Sequence, residues 1–218
     1  MAITPSFQYE QQYWQEGIHL LAGVDEVGMG ALAGPVCAAA VIFRRETVPN
    51  FTNLPNVPNI RDSKTLTANQ RTEGAAWVKE HAIAWAVGAA SVEEINRLNI
   101  RQASHLAMRR AVEALSQKPD LLLIDGTPAS PHPIIPAVNI IDGDALSISI
   151  AAASILAKVH RDQLMVTLDK EFPQYGFAGH KGYGTKIHLT ALQVHGASSH
   201  HRTAYAPVRR QAGLSDST

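Results

Sequence analysis

The sequence predicts an α/β fold in which a mixed sheet is covered by helices, and three observations carry that prediction. Apolar runs of strand length at 19–25, 36–43, 82–90 and 120–125 alternate with segments whose apolar residues recur at helical spacing. Two helix starts are marked by sequence. Thr67-Ala68-Asn69-Gln70 and Ser91-Val92-Glu93-Glu94 each place a hydroxyl at the cap and an amide or acid three residues on, the form of a capping box. With 218 residues, 45% of them hydrophobic, the chain is long enough to bury the core of one large domain.

Residues 1–18 form an N-terminal extension, expected to be helical, ahead of a core at 19–172. The run His19-Leu20-Leu21-Ala22-Gly23-Val24 reads as a buried strand ending in Asp25 and Glu26, and Val36–Phe43 as a second strand. Pro49, Pro55 and Pro58 mark Thr47–Asn59 as a surface loop. Asn99 can cap a helix whose apolar positions Ile100, Ala103, Leu106, Ala107, Ala111, Val112 and Leu115 share one face, which should pack on the sheet. The strand at 120–125 closes at Asp125-Gly126, and Thr127–Pro136 reads as another loop. A long helix is expected over about 146–171, where Ala151, Ala152, Ala153 and Ala157 permit close approach to a neighbour and Pro173 enforces the end. A basic helical and loop region follows at 173–210, then a flexible tail at 211–218.

Composition narrows the class. No run approaches the roughly 18 apolar residues of a membrane span, and Met1–Gly17 lacks the charged head and apolar stretch of an export signal. The expectation is a soluble, cytoplasmic protein with no membrane partner. The single cysteine, Cys37, lies inside an apolar run and reads as a small buried hydrophobe rather than a nucleophile. Formal charge is zero, yet it is segregated: residues 1–171 carry a net −4 and the remaining 47 a net +4. From Phe172 to Ser215 there is no acid, while Lys181, Lys186, Arg202, Arg209, Arg210 and five histidines occur there. Such a stretch suits a polyanion.

The acids point to chemistry. Asp25 and Glu26 end one strand, Asp125 ends another, and Asp144 stands just before the long helix. Strand ends in sheets containing parallel strands are where ligands gather, and buried acids without a cation are costly. Oxygen donors with no paired Cys or His motif select hard octahedral cations such as Mg²⁺ or Mn²⁺. Adjacent strand residues face opposite ways, so Asp25 and Glu26 both turn inward only if the strand breaks between them; Gly28 and Gly30 are the expected break. Otherwise the Glu26 carbonyl takes some of the ligation. Ser154, Lys158 and Asp162 lie one turn apart on one helix face: an ion pair is expected for the latter two, while Ser154 and Lys158 are placed to approach a phosphate.

The chain resembles type 2 ribonucleases H, the bacterial ribonuclease HII family. The resemblance is carried by Ala22-Gly23-Val24-Asp25-Glu26-Val27-Gly28, Leu32-Ala33-Gly34-Pro35-Val36, Asp62-Ser63-Lys64, Asn99-Ile100 with Ala103, Ile124-Asp125-Gly126, Gly143-Asp144, Ile150–Val159, Arg161-Asp162, His180-Lys181-Gly182-Tyr183-Gly184-Thr185 and Ala206–Arg209. It spans roughly residues 19–210. It implies a ribonuclease H-like fold: a five-stranded mixed sheet flanked by helices, with a mostly helical C-terminal part.

It also implies an endonuclease that hydrolyses the phosphodiester on the 5′ side of ribonucleotides in duplex DNA, and RNA in RNA–DNA hybrids, leaving 3′-hydroxyl and 5′-phosphate ends. The family's metal-binding acids fall on Asp25, Glu26, Asp125 and Asp144. Two ions about 4 Å apart would activate the attacking water and stabilise the leaving 3′-oxygen. Gly28-Met29-Gly30 and Tyr183 map onto the family's sensor of the ribose 2′-hydroxyl. Lys64, Lys181 and Lys186 are expected phosphate contacts, and Asn99, Ser154 and Lys158 complete the expected substrate-binding set. The expected state is a monomer, with a sliding clamp as a candidate partner.

One residue departs from the family pattern: Met29 stands where the family usually has arginine. Methionine cannot donate to a phosphate, so retained cleavage with weakened substrate binding is expected. The rival readings are another two-metal nuclease or an integrase-like relative on the same fold, and a non-catalytic or weakened nucleic-acid-binding homologue in which Met29 marks decay. A carboxylate-pair glycosidase is poorer.

Overall fold

The computed structural model describes residues 4–46, 58–126 and 132–212. The loops expected at 47–59 and 127–136 and the tail at 211–218 fall largely outside these residues. Five strands, β1 (Leu21–Val27), β2 (Val36–Ile42), β3 (Ala84–Ala90), β4 (Leu121–Asp125) and β5 (Ala137–Ile140), form one sheet in the order β3-β2-β1-β4-β5. Strands β1, β2 and β3 pair antiparallel; β4 runs parallel to β1, and β5 parallel to β4. The sheet is therefore mixed, as expected. β5 was not legible as a strand, since its four residues are mostly half-buried and follow a proline-rich stretch.

Helix α1 (Gln8–Gln15) precedes the sheet, and α2 (Ala68–His81), α3 (Val92–Leu98) and α4 (Ile100–Glu113) follow β2 and β3. Both capping boxes form: Thr67 and Ser91 accept from the backbone of Gln70 and Glu94, whose side chains bond back. Asn99, at φ 72°, both ends α3 and caps α4 by accepting from Gln102 N–H. A short α5 (Gly143–Leu146) and the 24-residue α6 (Ile148–Glu171) follow β5. The long helix thus starts at 148 rather than 146, because the Ser147 hydroxyl caps it by accepting from Ile150 N–H. The C-terminal part comprises α7 (Phe177–His180), α8 (Lys186–His195) and α9 (Ala206–Gln211).

The sheet buries both faces. On one side Leu21, Val41, Leu123, Ile150 and Ile155 belong to the core formed with α6; on the other Val24, Ala40, Ile124, Ala107 and Ala111 belong to that formed with α4. Gly23 lets α6 settle onto β1: a Cβ there would lie 2.1 Å from the Ser149 carbonyl carbon. The small side chains Ala151, Ala152 and Ala153 extend this close approach and are fully buried. The N-terminal helix is no appendage. Phe7 and Trp14 sit in the α6-side core, and the buried Glu10 carboxylate accepts from Ser147 Oγ (2.6 Å) and Ser149 N–H (3.0 Å).

Candidate active site

The parallel register of β1 and β4, with Val24 opposite Ile124, places Asp25 and Asp125 side by side where β4 ends and its pairing with β1 stops. Asp144, in the first turn of α5, completes a cluster in which carboxylate oxygens of Asp25, Asp125 and Asp144 all lie within 4.8 Å of one another. Backbone amides orient two of them: Glu26 N–H donates to Asp25 Oδ1 and Gly143 N–H to Asp125 Oδ1, each at 2.7 Å. Lys64 Nζ stands 3.6 Å from Asp144 Oδ2, but its side chain is 79% exposed, so its screening of the cluster is weak.

Glu26 differs from the expectation. β1 runs unbroken through Val27, so Glu26 points away from Asp25, and its carboxylate is not part of the three-oxygen cluster. It lines instead a cavity on the α4 side with Met29, Asp125 and Gly126. Its backbone addresses Asp25 through the N–H rather than the carbonyl.

The electrostatics are those of a site built for a cation. Burial, then the nearby Glu26 and Asp125, push the Asp25 carboxyl well above the usual carboxylate range, against a hydrogen bond from the Ser154 hydroxyl that lowers it. Burial and Asp125 push Glu26 up to about 7, and burial, Asp125 and Asp62 push Asp144 up to about 6. Three crowded carboxylates, two of them buried, whose one ion pair among the described residues is to an exposed lysine, fit a hard divalent cation.

A pH dependence follows for the metal-free protein. Glu26 and Asp144 titrate near 4.5 and 3.8 when unfolded, and near 7 and 6 when folded. The folded state therefore holds protons that the unfolded state has released; this stability is complete below about pH 4 and is lost as pH rises through 6 to 7. Thermal melts in chelator should show Tm falling between pH 5 and pH 8, with Mn²⁺ raising Tm strongly at pH 8 and little at pH 5. A flat, Mn²⁺-insensitive profile would count against the cluster as a cation site.

The loop that follows β1 is held from below by two arginines with no solvent exposure. Arg161 Nε donates to the Pro35 carbonyl (2.9 Å), Nη1 to that of Lys181 (2.9 Å) and Nη2 to that of Ala33 (3.1 Å). Arg202 donates to the carbonyls of Gly34 (2.9 Å), Met29 (3.0 Å) and Pro35 (3.1 Å), and the Tyr205 hydroxyl also donates to Met29. Burial lowers both guanidiniums, Arg202 to about 10, so Arg202 stays charged at neutral pH. Gly28, at φ 94°, leaves room for Arg161: a Cβ there would lie 2.2 Å from Nε. Gly30 instead opens onto free space, with nothing within 4 Å of where its Cβ would be.

Tyr183 joins this unit through an antiparallel bridge to Ala31, with Leu32 N–H donating to the Gly182 carbonyl (2.8 Å). Its ring lies under the Arg161 guanidinium, 5.4 Å from the ring centre, and Lys158 Nζ stands at 5.9 Å. Behind it runs a chain of imidazoles. Ser198 N–H donates to His201 Nδ1 (3.0 Å), His201 Nε2 meets His188 Nε2 (3.1 Å), and His188 Nδ1 meets the Tyr183 carbonyl (2.9 Å). The amide donor at one end and the carbonyl at the other set both rings as neutral tautomers, and burial lowers His201 to about 4.

The structure places Met29 in one cavity with Glu26 and Asp125, and Tyr183 against Ala31 at the far end of the Gly28–Gly30 turn. Lys64 and Lys186 are exposed, and Lys181 is half-buried, with Nζ donating to the Ala178 carbonyl. Three expected contacts are turned to other tasks. Asn99 is a helix cap, and Lys158 pairs with Asp162 at 2.7 Å. Ser154 is buried, bonded to Ser63 Oγ (2.9 Å) and to Asp25. The basic C-terminal region is only partly available to a polyanion, since Arg202, His188 and His201 are buried. Residues whose role sequence reasoning missed are Asp62, which bears on Asp144, and the supports Arg161, Arg202, His188 and His201; the Asp62-Ser63-Lys64 and Arg161-Asp162 motifs signalled the first two, while Arg202 and the histidines read only as part of a basic stretch. Cys37 is buried as expected, and burial pushes its thiol up to about 11.

A five-stranded mixed sheet with acids gathered at the ends of its central parallel strands defines the ribonuclease H-like class of α/β proteins. Solved structures share that fold. Ribonuclease H2 from Pyrococcus horikoshii OT3 superposes with a TM-score of 0.71 at 20% identity, over 89% of this chain and 97% of that one. Bst ribonuclease HIII in complex with Mn²⁺ gives 0.70 at 18% identity, over 89% and 70%. The ribonuclease HII of the PCNA complex from Archaeoglobus fulgidus gives 0.66 at 22%, over 84% and 93%. The family model for Ribonuclease HII matches residues 22–208. Relatives called Ribonuclease HII are 52% identical in Desulfitobacterium hafniense (strain DSM 10664 / DCB-2), over 94% of this chain and 75% of the relative. In Vibrio vulnificus (strain YJ016) the identity is 46%, over 97% and 96%. The chain belongs to the ribonuclease HII family. It is a ribonuclease of the H type, a hydrolase.

Proposed function

We propose that this ribonuclease cuts the phosphodiester on the 5′ side of a ribonucleotide within duplex DNA, and RNA in RNA–DNA hybrids, leaving 3′-hydroxyl and 5′-phosphate ends. The observation that supports the reading is the three-carboxylate cluster, with the Gly28–Gly30 turn following β1 directly and Tyr183 bridged to Ala31 just beyond that turn. Asp25, Asp125 and Asp144 would hold the cations, Mg²⁺ or Mn²⁺, with Glu26 reaching from the other side of β1. When bound, two such ions supply an activated water and neutralise charge on the leaving oxygen. The chain's own part is positioning. Amides of Glu26 and Gly143 aim the carboxylates, and the backbone at Gly30 is open enough for a sugar to approach. Tyr183, held by Arg161 and the His188 bond, offers a ring or hydroxyl to the ribose, whose 2′-hydroxyl distinguishes RNA from DNA. Asn99, Ser154 and Lys158 act here as supports, and Lys64, Lys181 and Lys186 as the cations that meet phosphates. The working unit is taken as a monomer, and the PCNA complex of the Archaeoglobus relative supports a sliding clamp as a candidate partner.

The test is cleavage of end-labelled duplexes with Mg²⁺ or Mn²⁺. A duplex with one embedded ribonucleotide should be cut once, on its 5′ side, and an all-DNA duplex left intact. Cutting of all-DNA would refute the proposal, and binding without metal-dependent cutting would favour the non-catalytic reading.

A further inference from the structure

The cavity lined by Glu26, Met29 and Asp125 contains a cation that the proposed chemistry does not use. It has a volume of about 160 Å³, and its α4 wall carries Arg101 and His105. Arg101 is exposed and forms no ion pair among the described residues, whereas on the same helix Arg109 lies 3.9 Å from Glu113 and Arg110 binds Glu94 at 2.7 Å. Its field is felt nearby: with burial, it holds His105 below the ordinary imidazole range. Met29 faces the same cavity and is 36% exposed, yet offers no donor. His105 also lines a second groove, of about 700 Å³, whose walls include Glu94, Arg97 and Arg109.

The charge balance makes this arrangement consequential. A polyanion approaching the acids is repelled by them, so its backbone needs a fixed cation on the rim of the site. A guanidinium suits that task because its planar fork binds two phosphate oxygens at once and it sheds water readily. We propose that Arg101 is the phosphate-binding residue of this cavity: it grips the nucleic-acid backbone beside the scissile bond, in the place where Met29 contributes no charge. The groove along Arg97 and Arg109 carries the same strand onward. This inference rests on the nucleic-acid reading of the site.

The experiment measures kcat and KM on an RNA–DNA hybrid over a range of salt, for the wild type, Arg101→Gln, Arg101→Lys, and Arg101→Gln combined with Met29→Arg. Arg101→Gln should raise KM about tenfold or more with kcat within about threefold, the loss expected for a charge-assisted contact made before chemistry. The slope of log KM against log salt should fall by about one. Arg101→Lys should fall between, and Met29→Arg should recover most of the loss by supplying a cation from the opposite wall. Wild-type protein that cleaves normally while Arg101→Gln keeps its KM and salt slope would overturn the assignment alone. Loss of kcat at unchanged KM would overturn it too, and so would failure of Met29→Arg to rescue. Wild-type protein that neither binds nor cleaves hybrid would instead remove the reading beneath it.

Discussion

Asp125→Asn is expected to lower kcat by about 10³-fold or more while leaving the fold intact. Asp125 closes β4 next to Asp25 and shares a cluster in which oxygens of three acids lie within 4.8 Å. The amide isostere keeps shape and can still accept from Gly143 N–H, now at 2.7 Å, but it removes one negative charge from the cluster. Cation-borne stabilisation of phosphoryl transfer is worth several kcal/mol, and each 1.36 kcal/mol is about tenfold in rate. The same change relieves Asp25, Glu26 and Asp144, each of which Asp125 pushes upward. The variant's Tm in chelator at pH 8 should therefore match or exceed that of the wild type, while the gain in Tm on adding Mn²⁺ shrinks. Cleavage within tenfold of wild type would remove Asp125 from the metal set.

The largest loss of stability is expected from Arg202→Met. The side chain is fully buried and donates to three backbone carbonyls of the loop between β1 and β2. Arg161 still reaches Pro35 and Tyr205 still reaches Met29, but the Gly34 carbonyl loses its side-chain donor. Stranding buried polar groups costs roughly 1–3 kcal/mol each, and a methionine leaves the polar pocket uncompensated, so a loss of about 3 kcal/mol is expected. At the size of this domain that lowers Tm by roughly 6–12 °C. Arg202→Lys should recover little, since an ammonium cannot span three diverging carbonyls. Because Met29 and its glycines hang on this guanidinium, residual activity should show a raised KM. An unchanged Tm would mean that the buried guanidinium is dispensable.

The chemistry of the site was legible because it is local. An apolar run that ends in acids declares both its burial and its purpose, so Asp25, Asp125 and Asp144 could be marked from sequence alone. The structure then brought all three within 4.8 Å. Caps were legible for the same reason: Thr67, Ser91 and Asn99 act on amides three residues away. The face of Glu26 was not, because it turns on whether β1 breaks, and pairing with β2 as far as Cys37 carries the strand through Val27.

The sequence by itself determined most of the elements, their caps and the position of the acids at element ends, since these depend on hydrophobic period and on hydrogen bonds between near neighbours. Only the tertiary structure decided which charges face water. Arg202, counted as part of a basic surface, is enclosed by carbonyls from residues 29–35, while Arg101, unremarked in sequence, lines a cavity with Glu26 and Asp125 and forms no ion pair among the described residues. The physical reason is that a guanidinium is the same residue whether solvated or buried. What distinguishes the two is whether chain remote in sequence, about 170 residues away for Arg202, folds back to surround it.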